Sequence, residues 1–126
     1  MATRFTVPGS VPEKTTWSYA ATIVDDQQQP IPRAAITELT LTLYADASKA
    51  ILNGVTGTNI LNVDRGSIGE TDGALIVKFR PADGAILDDS LKQELHVALI
   101  TCKYNGGVDQ WNHEVAFKVD NLARLT

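Results

Sequence analysis

The sequence has little of what small proteins commonly use to cross-link a fold or to bind a metal. Its 126 residues include one cysteine, Cys102, which excludes an internal disulfide and a cysteine-based zinc site. A lone thiol is also typical of folding in a reducing compartment, so we expect the chain to fold in a cytoplasm. Because Cys102 lies in an apolar segment, we predict a buried thiol of low reactivity.

Long apolar runs and clusters of positive charge are also missing. No segment approaches the roughly 20 apolar residues of a membrane-spanning helix, and residues 1–16 lack the apolar core of a signal peptide. The formal net charge is −4, and no run of Lys or Arg is present to bind phosphates or an anionic membrane. We therefore expect neither nucleic acid nor a membrane among the partners.

The sequence lacks the common motifs of catalysis and cofactor binding. It contains no G-x-S-x-G, no G-x-G-x-x-G and no P-loop. An enzyme would need His96 and His113 to converge with an acid such as Glu94 or Glu114, and Glu114 is predicted on the opposite face of its strand from His113. Adjacent aspartates at positions 25–26 and 88–89 match a calcium site only weakly. We predict that the protein is not an enzyme and binds no metal or cofactor.

What the sequence does have is alternation of apolar and polar residues. In "LTLTLY", residues 39–44, the leucines fall on one side of an extended chain and the threonines on the other, as in a half-buried strand. Similar segments are separated by turn signals such as "NGG" at 105–107. About six or seven short strands without a long amphipathic helix predict an all-β fold, an antiparallel β-sandwich of the immunoglobulin-like type.

Residues 1–14 are predicted to form an extended N-terminal arm, and residues 15–126 a single β-sandwich domain. Two prolines and a glycine between positions 8 and 12 interrupt regular structure, while Phe5, Val7 and Val11 nearly alternate. Two interpretations stay open. The arm is either a frayed terminus or an extended segment that adds to the edge of a sheet, its own or a neighbour's.

Two further segments carry specific expectations. Residues 95–104 are largely apolar on both faces, so the second face needs a cover: the arm, residues 86–91, or another subunit. Internal cover is the simpler account. In the connection that follows Arg80, we expect Ile86, Leu87 and Leu91 to pack as one helical turn, with Asp88 or Asp89 as its cap.

A series of short phrases spread over residues 17–123 resembles a family of small proteins encoded among the head and connector genes of tailed bacteriophages. In order, they are Trp17 at the start of a strand, "IVDD" at 23–26, "PIP" at 30–32, "LTLTLY" at 39–44, "ILN" at 51–53, "NILN" at 59–62, "PADGAILDDSL" at 81–91, a Glu94–His96 step, "YNGG" at 104–107, "HEV" at 113–115 and "VDNLA" at 119–123. The resemblance implies a virion structural protein, assembled in the bacterial cytoplasm and located in the virion. It supplies no site residues.

On this basis the first hypothesis is a capsid decoration or cement protein. Its partners would be the major capsid protein or neighbouring virion proteins, with self-association on the particle, and it would bind through the arm and a sheet edge or face. The candidate interface residues are Arg4, Phe5, Val7, Val11, Ile100 and Tyr104. One alternative is a head–tail connector, neck or tail-attachment component. Another is a carbohydrate- or receptor-binding module in which Trp17, Trp111 or Tyr104 stacks on a glycan.

Overall fold

The computed structural model describes residues 3–63, 65–88 and 90–122, which form a sandwich of two β-sheets. The strands are β1 (Thr3–Pro12), β2 (Trp17–Thr22), β3 (Ile36–Ala45), β4 (Thr58–Asn59), β5 (Gly66–Ile68), β6 (Ala74–Phe79), β7 (Gln93–Tyr104) and β8 (Asp109–Asp120). One sheet has the order β1-β8-β7-β3-β4, and the other has the order β2-β6-β5. The predicted all-β sandwich is confirmed.

The strand order is that of an immunoglobulin-like domain. Strands β8, β7 and β3 form the sheet that such domains build from G, F and C, and β2, β6 and β5 correspond to B, E and D. The described residues contain eight strands rather than six or seven. The difference comes mainly from β1, which the sequence predicts as an arm, and from β5, which has three residues and is too short to show alternation. One pair also departs from the antiparallel prediction, because β1 runs parallel to β8.

The core lies between the two sheets and is mainly aliphatic. Leu39, Leu41 and Leu43 of β3 are each 0% exposed, which confirms the alternation found in the sequence. Burying one such side chain stabilises the fold by roughly 1.5–3 kcal/mol. Phe79 and Phe117 meet across the sandwich with their ring centroids 5.5 Å apart.

Two turns, the predicted one at residues 105–107 and one before β6, lie where glycine is needed. Asn105, Gly106 and Gly107 have φ angles of 53°, 70° and 86° and connect β7 to β8, which confirms the hairpin. Gly73 precedes β6 with φ of +66°, and a Cβ atom there would lie 2.6 Å from the carbonyl oxygen of Ile23. Both turns therefore require residues that tolerate the left-handed region of backbone conformation.

The predicted helical turn over residues 86–91 is wrong. A 3₁₀ turn forms earlier, at Pro81–Gly84, because the Asp83 carboxylate accepts the backbone N–H of Arg80 at 2.8 Å and is held by the buried side chain of Arg65. Asp88 caps a tight turn instead, accepting the N–H of Ser90 at 3.0 Å. Asp89 lies outside the described residues.

The predicted arm forms β1, the terminal strand of the larger sheet. Phe5 pairs with Val115 and Val11 with Val119, with a register shift between Thr6 and Ser10 around the Pro8–Gly9 step. The Ser10 hydroxyl donates to the Asp120 carboxylate at 2.5 Å. Of the two interpretations left open by the sequence, the structure has the extended segment, added to the chain's own sheet.

Candidate functional site

A groove of about 380 Å³ opens at one end of the sandwich. One wall is the loop after β2, from Val24 to Gln28, and the other is the start of β8, from Gln110 to His113. Tyr104 at the end of β7 also lines it. The volume falls at the lower end of the range of small-molecule sites, and aromatic rings and polar side chains share the lining.

Three stacked rings build the aromatic side of the groove. The ring centroids of Trp111 and His113 are 5.1 Å apart with an interplanar angle of 22°, and the hydroxyl of Tyr19 is hydrogen-bonded to His113 Nε2 at 2.8 Å. Burial lowers the pKa of His113, so its imidazole is neutral at pH 7. The half-buried indole of Trp111 is therefore supported by an uncharged ring that is itself fixed by a hydrogen bond.

The facing loop is held by its own hydrogen bonds. Asp25 Oδ1 accepts the backbone N–H groups of Gln27 and Gln29, both at 2.9 Å, and Val24 forms a β-bridge with Pro30. Asp25 is therefore a turn residue, as adjacent aspartates in loops commonly are. Asp26 and Gln28 contribute an exposed carboxylate and an exposed amide to the same wall.

The structure brings two of the three predicted glycan-stacking residues to the groove. Trp111 and Tyr104 line it, although Tyr104 is only 7% exposed. Trp17 does not line it, because its ring stacks on Phe79 at 4.5 Å and meets Phe117 edge-on at 5.0 Å. Trp17 is thus a packing residue at the side of the core.

The four candidate interface residues of the arm lie on β1. Phe5 is 43% exposed and its ring is 5.8 Å from that of Tyr19. Val7 packs against the core, and Val11 is half-buried. Arg4 points to the outer face of the sheet, where it pairs with Asp46 at 3.3 Å and Glu114 at 3.4 Å.

The other two candidate interface residues belong to the interior. Ile100 is 0% exposed because its side of β7 faces the second sheet. Tyr104 shows only an edge to the groove. The prediction that these two residues contact a capsid protein is therefore corrected. Ile100 has no exposed surface, and Tyr104 exposes only the edge that lines the groove.

The second apolar face of β7 is covered from within the chain. The Tyr44 hydroxyl on β3 donates to Glu114 on β8 at 2.6 Å, so the side chain crosses the outer face of β7, which lies between these strands. Val97, the residue opposite Tyr44, is 0% exposed. Arg4 of β1 approaches the same Glu114. The internal cover is therefore Tyr44 together with a residue of the predicted arm.

The hydrogen bond between Tyr44 and Glu114 shifts the pKa of both residues. Burial and the hydrogen bond to Glu114 raise the pKa of Tyr44 to about 12. The hydrogen bond from Tyr44 and the nearby Arg4 guanidinium lower the pKa of Glu114, against the opposing effect of burial. At pH 7 the pair is a neutral phenol donating to a carboxylate, which is a strong form of hydrogen bond.

The two histidines do not converge on a common site. His113 is opposite Ile100 in the β7–β8 register, whereas His96 is opposite Phe117. Glu114 faces away from His113, as predicted, since it bonds to Tyr44 on the outer face. Within residues 3–63, 65–88 and 90–122, no group of three or more His, Cys, Asp or Glu side chains is arranged to hold a metal ion.

His96 instead forms a buried pair with Glu94 near the start of β7. Their side chains meet at 2.9 Å, and Glu94 also accepts the backbone N–H of Leu87 at 2.9 Å. Burial acts to raise the pKa of Glu94, but these hydrogen bonds outweigh it and the pKa is lowered overall. The pair fixes the loop that precedes β7.

Cys102 lies in the core, as predicted. It is 0% exposed, and burial raises its thiol pKa to about 11. A thiol that is both inaccessible and protonated at pH 7 is neither a nucleophile nor a metal ligand.

Sequence reasoning missed most of the groove. The sequence pattern of Tyr19 indicates a strand residue and that of Asp26 and Gln28 indicates turn residues, which they also are. Asp26 and Gln28 lie opposite Trp111, and Tyr19 stacks on His113 on the same side as Trp111. Both placements follow from the packing of distant strands, and no local pattern signals them. Only the aromatic residues Trp111 and Tyr104 indicated a possible binding site in the sequence.

Comparison of the chain with protein-family models, curated proteins and solved structures finds no significant match. No helix in the described part of the chain combines the length and apolar character needed to cross a membrane.

Proposed function

We propose that the protein is a structural component of a tailed-bacteriophage virion, a decoration protein that binds the assembled capsid through β1 and the adjoining sheet. The resemblance of residues 17–123 to proteins encoded among phage head and connector genes supports the phage origin. The position of β1 at the end of the larger sheet supports the mode of attachment.

The observation that carries the proposal is the edge of β1. This strand spans Thr3–Pro12 and is last in its sheet, and in the described part of the chain no strand pairs with its outer edge. An edge strand presents backbone N–H and C=O groups to a partner strand, and strand addition is a common way to recognise an extended segment. The half-exposed ring of Phe5 offers an apolar contact on the same strand.

Repetition on a lattice makes such a small contact sufficient. A partner with many identical sites, such as the major capsid protein, holds subunits at high effective concentration when neighbouring copies also touch. The interface of one copy then need not be large.

A charge at Phe5 tests the attachment. We expect Phe5→Lys to weaken binding to capsids of the encoding phage that lack this protein by at least about tenfold, because a lysine on a strand edge opposes pairing and desolvation. Co-sedimentation with the capsids measures the binding, and circular dichroism checks the fold.

The matched control is Val108→Lys, since Val108 is 84% exposed in the β7–β8 turn. It introduces the same charge away from β1 and should bind as the unmodified protein does. Equal binding by Phe5→Lys would contradict attachment through β1.

A position in the neck or tail is the alternative within the same class. A ring there holds about a dozen copies per particle, whereas a decoration of the capsid lattice requires on the order of hundreds, by symmetry. Copy number therefore separates the two positions.

A further inference from the structure

We propose that the groove at the end of the sandwich binds a neutral saccharide, which stacks on Trp111 and is hydrogen-bonded by the side chains of Asp26 and Gln28. This second binding function is independent of attachment to a capsid, since the groove and the edge of β1 are different surfaces.

The aromatic side of the groove is built to present a fixed ring. Trp111 is half-buried and stacks on His113, which in turn is hydrogen-bonded to Tyr19. An indole held in this way contributes apolar contact area at little cost in side-chain entropy. The C–H face of a sugar ring is apolar and flat, so it matches such a surface.

The polar side suits hydroxyl groups. Each sugar hydroxyl both donates and accepts, and the loop after β2 supplies acceptors from Asp26 together with amide donors and an acceptor from Gln28. Gln110 and Asn112 line the groove from the same strand as Trp111, but strand alternation directs their side chains to the outer face, where Gln110 Nε2 donates to Asn112 Oδ1 at 2.8 Å. A few oriented polar groups beside an aromatic surface are the usual composition of a small-molecule site.

Charge argues against the other ligand classes. No Lys or Arg is among the described residues that line the groove, so an anionic ligand has no partner there. A cationic ligand has the carboxylate of Asp26, but Asp25 Oδ1 is engaged by two backbone N–H groups. A neutral polyhydroxylated ligand uses the groups that remain.

The groove is also formed in advance. Its loop is closed by the Val24–Pro30 bridge and the Asp25 turn, and its other wall belongs to the long β7–β8 hairpin. Binding to a preformed site costs little free energy for ordering loops and side chains. The few contacts of a small sugar are therefore enough for measurable binding.

Fluorescence of Trp111 tests the proposal directly. In a Trp17→Phe background Trp111 is the only tryptophan, and it is titrated with glucose, galactose, N-acetylglucosamine, maltotriose, cellotriose and chitotriose. We expect saturable changes with at least one sugar and a Kd on the order of 1 mM. The shift of the Trp111 indole N–H in NMR spectra of the unmodified protein provides the same reading if the background variant folds poorly.

Variants then locate the site. Asp26→Ala and Gln28→Ala should each raise the Kd about 2- to 10-fold, the loss expected for one or two hydrogen bonds. The matched control is Val108→Ser, which changes an exposed residue close to the groove in sequence and should leave the Kd unchanged.

Two results would overturn the proposal. One is the absence of any saturable response to all six sugars at concentrations of about 50 mM. The other is a response to tetralysine with none to the sugars, which would make the groove a site for basic peptides.

Discussion

At the residue scale, the side chain of Tyr44 crosses the outer face of the larger sheet. Its hydroxyl reaches Glu114 two strands away, and Val97, the partner of Tyr44 in the β3–β7 register, is 0% exposed. The alternating pattern of β3 placed Tyr44 on this face, but no sequence pattern pairs it with Glu114, since 70 residues separate them.

Replacement of Tyr44 by Phe tests this contact through its pH dependence. At pH 8 we expect Tyr44→Phe to lower the free energy of unfolding by about 1 kcal/mol, the usual net value of one hydrogen bond. The pKa of Tyr44 is raised from 10.0 to about 12 in the folded protein, so its stabilisation is complete below pH 10 and is lost as the pH rises through 12.

The difference between the unmodified protein and Tyr44→Phe should therefore shrink from pH 10 to pH 12. Urea denaturation at a series of pH values measures it. A difference that stays constant over this range would mean that the phenol does not donate to Glu114.

At the element scale, the segment that the sequence identified as an arm belongs to the sheet. Its alternation and its prolines were visible in the sequence, and they correctly indicated an extended chain. The partner was not visible, because β1 pairs with β8, more than 100 residues away, and does so in parallel. The terminal hydrogen bonds to Asp120 complete the attachment.

Deletion of residues 1–12 tests whether β1 is part of the fold. It removes the half-buried side chains of Val7 and Val11 and the hydrogen bonds to β8, so we expect the free energy of unfolding to fall by at least about 2 kcal/mol. Val108→Thr, at an exposed site away from β1, should change it by less than about 0.5 kcal/mol. Unchanged stability of the truncated protein would mean that the segment is a free arm.

Because β1 is part of the fold, the proposed attachment to a capsid is tested better by a point change than by a deletion. Deleting the arm would lower the proposed binding to a capsid either through lost contacts or through a weakened domain. A point change at Phe5 separates the two effects, because its side chain is nearly half exposed.

At the scale of the whole molecule, the sequence predicted the architecture better than the site. Period-two patterning in β3, β6 and β8 and the "NGG" turn were sufficient for a sandwich, since each is a local feature. The groove depends instead on the loop after β2 lying opposite the start of β8, positions more than 80 residues apart. Long-range pairing of this kind leaves no local trace, so only the aromatic residues suggested where a ligand would bind.

The most direct test of the proposed role is to locate and count the chain in purified particles of the bacteriophage that the proposal expects to encode it. Cryo-electron microscopy together with quantitative mass spectrometry provides both quantities. The account predicts on the order of hundreds of copies on the capsid surface, in symmetric positions with β1 against a capsid subunit. Absence of the chain from the particle, or about a dozen copies confined to the neck, would contradict it.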